Sequence, residues 1–216
     1  MRKTILFISI LFLAASCGEK AADNAANFFA DSLSSKEKNE LRLAELEVLL
    51  AEQPSNQLAW IEKGGICKEN YDFVCALDAG AKAYAIDSTN VEARMLYAWT
   101  LMNKPNAELV DIERAKKHYK YVLSVKENNP AVLVELANTY SLTGDFETAF
   151  KFVNDALRAD DKFRDAYVLK GSMYKTQGNT KFALSSYQTA VQLDPDFFMG
   201  HLNIGWLLSE TEDHQL

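Results

Sequence analysis

The chain has 216 residues; 48% are hydrophobic, 25% are charged, and the formal net charge is −7. This composition is typical of one globular domain and excludes an intrinsically disordered chain. The acidic balance argues against binding of nucleic acid and against charge-driven binding to anionic lipid, since both depend on a basic surface.

A hydrophobic segment near the N-terminus has the features of a secretory signal. Two basic residues precede an apolar run over residues 5–13, which is too short to span a bilayer and has the length of a signal-peptide core. The run leads into Ala-Ala-Ser-Cys, which ends at Cys17 and resembles a bacterial lipobox. We therefore expect a lipoprotein signal peptide over residues 1–16 and lipidation of Cys17. The alternative is ordinary signal cleavage beside an incidental cysteine.

Removal of residues 1–16 would change the formal net charge to −9, because that segment carries two basic residues and no acidic one. Membrane association would then depend on acyl chains at Cys17, and stable anchoring needs more than one such chain. Residues 17–35 are rich in Ala, Asn, Asp and Ser, which predicts a flexible tether.

A helix is predicted over residues 36–53. Ser34 and Glu37 have the spacing of a capping box, leucines follow at helical intervals, and Pro54 ends the segment. We interpret this segment as an N-terminal helix that covers the first of the helical hairpins described next.

Small residues recur along the rest of the chain at a nearly fixed period. The first series is spaced by 34, 39, 34 and 34 residues, and two further series keep the same register. Paired helices can approach closely only where side chains are small, so three series in one register indicate a repeated helical hairpin. The series are Gly64, Ala98, Ala137, Gly171 and Gly205; Ala76, Ala115, Ala149 and Ala183; and Ala83, Val122, Ala156 and Ala190.

The unit over residues 164–197 shows the pattern most fully. It reads aromatic, small, aromatic, glycine turn, alanine, aromatic, alanine and proline, at Tyr167, Gly171, Tyr174, Gly178, Ala183, Tyr187, Ala190 and Pro195. This 34-residue pattern resembles the tetratricopeptide repeat, abbreviated TPR. The resemblance implies an all-α fold, a right-handed superhelical solenoid of helix-turn-helix repeats in which each hairpin buries its apolar face on its neighbours.

Four units share this register, over residues 57–90, 91–129, 130–163 and 164–197. The repeat over residues 91–129 has five extra residues between its helices, which predicts an inserted loop. Such a loop lies on a binding face, or it is tolerated because a longer loop adds little to the entropy cost of closing it. Residues 198–216 repeat the first-helix pattern once more. We expect them to form a C-terminal capping helix or the start of a truncated fifth repeat.

TPR families usually bind their partners on the concave face, which the first helix of each unit lines. The corresponding residues here lie three or four apart, on one face of each helix, and form an apolar strip that suits a peptide or a helix. They are Ile61, Met95, Trp99, Met102, Val134, Asn138, Leu142, Val168, Ser172, Lys175, Leu202 and Trp206. The alternative is that some of them, such as Val134 and Val168, belong to the core. Trp99 is the strongest candidate, because its neighbour Ala98 already faces the partner helix.

One known TPR specificity is not expected here. Chaperone-binding TPR proteins hold a C-terminal carboxylate with Lys, Asn and Arg side chains, and the corresponding positions in this chain are Ile61, Gly65, Leu96, Ala131 and Glu135. The resemblance therefore implies no binding of chaperone tails.

Cys67 and Cys75 lie eight residues apart, on the two helices of the first hairpin. An oxidising compartment permits a disulfide between them, and the alternative is two buried thiols. No catalytic, phosphate-binding or metal-binding motif occurs, so we expect no enzyme activity, no metal and no cofactor. Lys116, Lys117 and Lys120 are expected to form a solvated basic face.

The sequence thus predicts a non-catalytic protein-binding scaffold or adaptor, a TPR lipoprotein of the bacterial cell envelope. Its expected partner is an envelope protein or peptide held on the concave face, and its expected location is the periplasmic side of the outer membrane, by a lipid anchor. Two alternatives are a glycan- or peptide-binding lipoprotein that uses Trp99 and Trp206 as stacking platforms, and the TPR part of a longer protein.

Overall fold

The computed structural model describes residues 33–213, with side chains as far as residue 210. The predicted signal peptide, the lipidation site Cys17 and most of the predicted tether lie outside the described residues. Within them the chain forms ten α-helices and no β-strand, which confirms the predicted all-α fold. The helices are α1 Ser35–Glu52, α2 Gln57–Glu69, α3 Phe73–Ile86, α4 Val91–Asn103, α5 Leu109–Val125, α6 Pro130–Leu142, α7 Phe146–Ala159, α8 Arg164–Thr176, α9 Thr180–Leu193 and α10 Phe198–Asp213.

Between residues 59 and 60 the described part of the chain divides into two compact units. In the first unit, α1 begins with the capping box that the sequence predicts. The Glu37 backbone N–H donates to the Ser34 hydroxyl, and the Ser34 backbone N–H donates to the Glu37 carboxylate at 3.0 Å. Two of the unpaired donors at the start of the helix are thereby satisfied. No helix in the described part of the chain combines the length and the apolarity needed to cross a bilayer.

The second compact unit, which begins at residue 60, contains the hairpins. Helix α4 packs against α5, α6 against α7 and α8 against α9, while α10 packs on α9. An Asp or Asn side chain caps the start of several helices, as Asn90, Asn129 and Asp145 do for α4, α6 and α7. These caps stop the helices that have them from running back into the preceding turn, so those turns stay at fixed places in the repeat.

The turn before the second helix requires one residue in the left-handed conformation. Gly144 and Gly178 occupy this position with φ of 81° and 72° in the hairpins α6–α7 and α8–α9. In the hairpin α2–α3 the equivalent residue is Tyr71, with φ of 58°. A side chain makes this conformation less favourable, so the first hairpin depends more on its other contacts to keep its turn.

One such contact is covalent. A disulfide bond joins Cys67 on α2 to Cys75 on α3, with the two Cα atoms 5.8 Å apart. The bond spans the turn that contains Tyr71. It restricts the unfolded chain and holds the two helices of this hairpin together.

The core is a row of adjoining clusters rather than one central mass. One cluster draws residues from α4, α5 and α6, with Tyr119 and Leu136 at its centre. The next draws on α6, α7 and α8, with Val153 and Met173 fully buried. A third joins α9 to α10 through Tyr187 and Leu207. Each hairpin therefore buries its apolar surface on its neighbours, as expected for a solenoid of TPR repeats.

The small residues lie where the paired helices approach most closely. Ala98 and Ala137 are completely buried. A Cβ atom on Gly171 would lie 2.7 Å from the ring carbons of Tyr187 on the partner helix. Contacts this short leave no room for a methyl group unless the buried ring moves, so the period of small residues reflects a steric requirement.

This requirement predicts opposite effects for two glycines. Gly171→Ala should lower the free energy of unfolding by about 1–2 kcal/mol, because the added methyl overpacks the contact with Tyr187. Gly65→Ala should raise it by about 0.5–1 kcal/mol, because a Cβ there has open space and alanine favours the helix. Urea unfolding followed by far-ultraviolet circular dichroism measures both values. Stabilisation of the protein by both substitutions would show that the Gly171 contact is not tight.

Candidate functional site

The residues that the sequence placed on the concave surface belong to α2, α4, α6, α8 and α10, and we call this surface the first-helix face. Leu142, Ser172 and Trp206 are exposed on it, with Leu142 at 54% and Trp206 at 52%. The half-buried members are Ile61, Met95, Trp99, Met102, Asn138, Val168, Lys175 and Leu202.

Several of these residues contribute to the core. Val134 is 9% exposed and packs in the cluster of α6, α7 and α8, so it is a core residue and not part of an open surface. Met95 and Met102 pack on the neighbouring cluster, and Val168 packs against the cluster that contains Tyr187. The reason is that long apolar side chains fill the space between successive first helices. The face is therefore less apolar than the sequence predicts.

Trp99 lies where three helices meet. Its ring stacks on Phe73, at the start of α3, with the ring centroids 5.9 Å apart. The Lys68 ammonium group at the end of α2 lies 4.7 Å from the centroid of the Trp99 ring. This cation–π contact brings a positive charge onto the first-helix face and leaves Trp99 half-buried.

Glu135 places a carboxyl group on the same face. Burial raises the pKa of Glu135, the positive charge of Lys68 opposes that effect, and the negative charge of Asp165 adds to it. Glu135 forms no salt bridge among the described residues. Within the described residues its carboxylate is stabilised by the charge of Lys68 and by the Tyr119 hydroxyl, and not by a direct ion pair.

The Tyr119 hydroxyl lies beneath this group. Tyr119 is fully buried, and its hydroxyl is near the Glu135 carboxyl but outside good hydrogen-bond geometry. Burial, followed by the negative charge of Glu135, raises the pKa of Tyr119 well above its ordinary value. Tyr119 thus remains a neutral hydroxyl that can donate to a carboxylate above it.

The sequence prediction omitted Lys68 and Asp165 from this surface, although both stand at repeat positions that line it. They are the twelfth residue of the unit 57–90 and the second residue of the unit 164–197, and both positions line the concave face in TPR families. Glu135 is the sixth residue of its unit. The sequence does not reveal its burial, because that depends on how closely the neighbouring helices pack.

At the other end of the face, an ion pair joins α8 to α10. The Lys175 Nζ donates to the Glu210 carboxylate at 2.9 Å. Trp206 and Leu202 lie on the same helix as Glu210. Lys175 is therefore held by a partner, while the Trp206 ring remains available for contact.

A second polar and aromatic cluster surrounds His118 on α5. The Arg94 guanidinium lies 3.3 Å from the His118 Nδ1 and packs 3.6 Å from the centroid of the Tyr121 ring. Tyr84 and Tyr97 place their rings 4.9 and 5.4 Å from the imidazole. Because Arg94 can only donate, Nδ1 accepts and His118 is neutral. This arrangement has a packing role, and the described residues offer no group of three or more acidic, His or Cys side chains that could hold a metal ion.

Comparison with protein families agrees with the repeat register. The family model for the TPR domain of cytochrome c-type biogenesis protein H matches residues 17–164, which is more than half of the chain. The chain belongs to this TPR family. A general tetratricopeptide repeat model matches residues 165–197, so the TPR assignment covers both halves of the chain. A TPR fold generally serves as a non-catalytic scaffold for protein interaction.

Solved TPR structures share the fold. TTC0263, a thermophilic TPR protein of Thermus thermophilus, superposes with a TM-score of 0.68 at 17% identity, over 81% of this chain and 92% of that chain. PilW, a type IV pilus biogenesis factor, superposes with a TM-score of 0.67 at 17% identity, over 87% and 84%. YrrB, a TPR protein with an unusual peptide-binding site, gives 0.55 at 20% identity, over 80% and 86%. No curated protein matched the chain.

The His118 cluster predicts a pH dependence of stability. Burial, and then the charge of Arg94, lower the pKa of His118 in the folded protein, while the unfolded chain has the ordinary value of about 6.5. The contribution of His118 should therefore be fully present above pH 6.5 and should decrease as the pH falls below it, since the unfolded state then binds the proton more readily.

Urea unfolding of this TPR protein between pH 7.5 and pH 5.5 measures that change. His118→Asn should flatten the decline, whereas His201→Asn, which removes an exposed imidazole, serves as the control. An unchanged decline in the His118 variant would contradict the assignment.

Proposed function

We propose that this TPR protein is a scaffold of the bacterial cell envelope, anchored by lipid at Cys17, that recruits or assembles partner proteins on the concave surface of its first helices. The observation that carries the proposal is the group formed by Lys68, Trp99 and Glu135 on the first-helix face. It combines an aromatic ring, a cation and a carboxyl group that has no direct ion pair among the described residues. Such a combination suits a protein segment that has both apolar and charged side chains.

The charges on this face indicate which partner groups it accepts. Where chaperone-binding TPR proteins have basic residues, this chain has Glu135, and Asp165 adds a second carboxylate nearby. A basic side chain of the partner could pair with Glu135 and compensate its charge. A partner carboxylate would instead be repelled at this point.

Three observations support the location in the envelope. The N-terminal residues have the pattern of a lipoprotein signal. The disulfide between Cys67 and Cys75 fits an oxidising compartment. The matched family is named for cytochrome c-type biogenesis, and PilW is described as a pilus biogenesis factor; by analogy, we propose that the partners of this chain are envelope proteins during their assembly.

The scaffold proposal predicts that Trp99→Ala leaves the far-ultraviolet circular dichroism intact and weakens partner capture about tenfold, the usual effect of removing a central aromatic anchor. Crosslinking in cells and quantitative mass spectrometry of the captured envelope proteins measure the change. Val125→Ala is the matched control, because it truncates an exposed apolar residue on a second helix. Loss of helical signal in the Trp99 variant would show a core residue, and unchanged capture would remove this face from the proposal.

The anchor proposal predicts that Cys17→Ala abolishes incorporation of a labelled fatty acid and moves the protein out of the membrane fraction, because the acyl attachment point is lost. The double variant Cys67→Ala, Cys75→Ala should keep both properties. Labelled-lipid incorporation and fractionation after a carbonate wash measure them. Undiminished labelling of the Cys17 variant would contradict lipidation at this residue.

A further inference from the structure

The disulfide bond of the hairpin α2–α3 lies next to the two residues that contact the Trp99 ring. Cys67 is followed in the chain by Lys68, whose ammonium group lies 4.7 Å from the centroid of that ring. Phe73, which stacks on the same ring at a centroid distance of 5.9 Å, stands two residues before Cys75. The covalent bond and both contacts of Trp99 therefore belong to one short segment of the chain.

This hairpin has weaker local support than the later ones. The interior of α2 contains two consecutive glycines, Gly64 and Gly65, at positions where α4 and α6 have no glycine. Glycine disfavours a helix more than any other residue except proline. The turn contains Tyr71 in the left-handed conformation, which a side chain makes less favourable. A cap remains at the start of α3, where the Cys75 backbone N–H donates to the Asp72 carboxylate at 2.9 Å.

The disulfide bond can be reached from solvent at one of its two ends. The turn that it spans is exposed over residues 68–72, with Tyr71 at 76%. Cys67 is 1% exposed, whereas Cys75 is half-buried. Thiol–disulfide exchange needs access to only one sulfur, so the Sγ atom of Cys75 is the point of attack.

We propose that this disulfide is a redox switch for the first-helix face. When a dithiol reduces the bond, the end of α2 and the start of α3 separate, and Trp99 loses its contacts with Lys68 and Phe73. The proposal rests on the scaffold function proposed above, because it assigns regulation to the same surface.

The reduction follows ordinary thiol–disulfide exchange. A thiolate of the dithiol attacks Sγ of Cys75, the bond between the two cysteines breaks, and Cys67 leaves as a thiolate that takes up a proton. The second thiol of the dithiol then attacks its own sulfur in the mixed disulfide and releases Cys75 as a thiol. Two electrons and two protons pass to the protein, and the dithiol ends as a disulfide.

The switch changes how much order the partner must impose on binding. In the oxidised chain the Trp99 ring is held between α2 and α3, and Lys68 places its charge beside the ring. In the reduced chain both contacts are lost, so binding carries a larger ordering cost. The change should remain local, because the core clusters of α4 to α6 and of α6 to α8 contain no residue of α2 or α3.

Hydrogen–deuterium exchange of the complete chain, with and without dithiothreitol, tests the switch in the absence of any partner. Reduction should make the amides of residues 57–86 exchange about tenfold faster, because this hairpin opens locally, and those of residues 130–193 should change by less than about twofold. Unchanged exchange in α2 and α3, an equal rise along the whole chain, or failure of dithiothreitol to reduce the native chain would each overturn the proposal.

Acrylamide quenching of tryptophan fluorescence reports on the first-helix face itself. The chain has three tryptophans, so the double variant Trp60→Phe, Trp206→Phe leaves Trp99 as the reporter, and circular dichroism checks that this variant is folded. Reduction should increase the quenching constant about twofold, because the ring loses the cover of Phe73 and Lys68. An unchanged constant would show that reduction does not reach the face, and the proposal would be wrong.

The double variant Cys67→Ala, Cys75→Ala is the matched control, since it lacks the bond and retains Cys17. Without dithiothreitol it should exchange as the reduced parent does, and addition of dithiothreitol should change nothing. Exchange as slow as that of the oxidised parent would overturn the proposal. A response of the variant to dithiothreitol would do so too, because its source would then lie outside this bond.

Failure of the switch and failure of the scaffold function give different results. If Trp99→Ala weakens partner capture while reduction leaves exchange unchanged, the scaffold function stands and the switch is wrong. If the switch acts on this face, the double cysteine variant should weaken capture as Trp99→Ala does. Faster exchange on reduction together with capture that neither variant changes would overturn the regulation along with the proposed binding surface.

Discussion

The close approach of two helices at a small residue is the constraint on which the rest of the fold depends. At Gly171 the partner ring of Tyr187 occupies the space that a side chain would need, and Ala98 and Ala137 are completely buried at the same register. Because the two helices are fixed at this point, each hairpin presents a defined apolar surface on which the next hairpin packs. The order of the core clusters along the chain is consistent with that contact.

The first hairpin meets the same constraint with different chemistry. In the hairpin α8–α9 the ring of Tyr174 packs on Phe182, eight residues later. Cys67 and Cys75 occupy the same two places in the hairpin α2–α3 and are joined by a disulfide. The covalent bond thus replaces an aromatic pair. It also acts where the turn contains Tyr71 in a left-handed conformation instead of glycine. The first hairpin has a less favourable turn than the others, and the disulfide offsets that loss by restricting the unfolded chain.

The sequence predicted the fold well because the steric requirement at the small residues appears as a period that can be counted. It predicted the binding face less well, because the size of neighbouring side chains decides whether a residue is open or filled. Val134 occupies a face position but is buried between α6 and α8, whereas Leu142 on the same helix is exposed. Lys116 was expected in solvent, yet it is 9% exposed: its Nζ lies 4.5 Å from the centroid of the Tyr140 ring and donates to Glu113 at 2.5 Å. The burial of Glu135 could not be predicted for the same reason.

The proposed binding surface is built from side chains of several helices, so its shape depends on how successive hairpins stack. Near its start, the cation–π contact between Lys68 and Trp99 joins α2 to α4. At the other end, Leu207 packs in the cluster with Ala183 and Tyr187, and the ion pair between Glu210 and Lys175 joins α10 to α8. Contacts within the chain therefore position the Trp99 and Trp206 rings before any partner arrives, and binding at rings that are already positioned carries a smaller ordering cost.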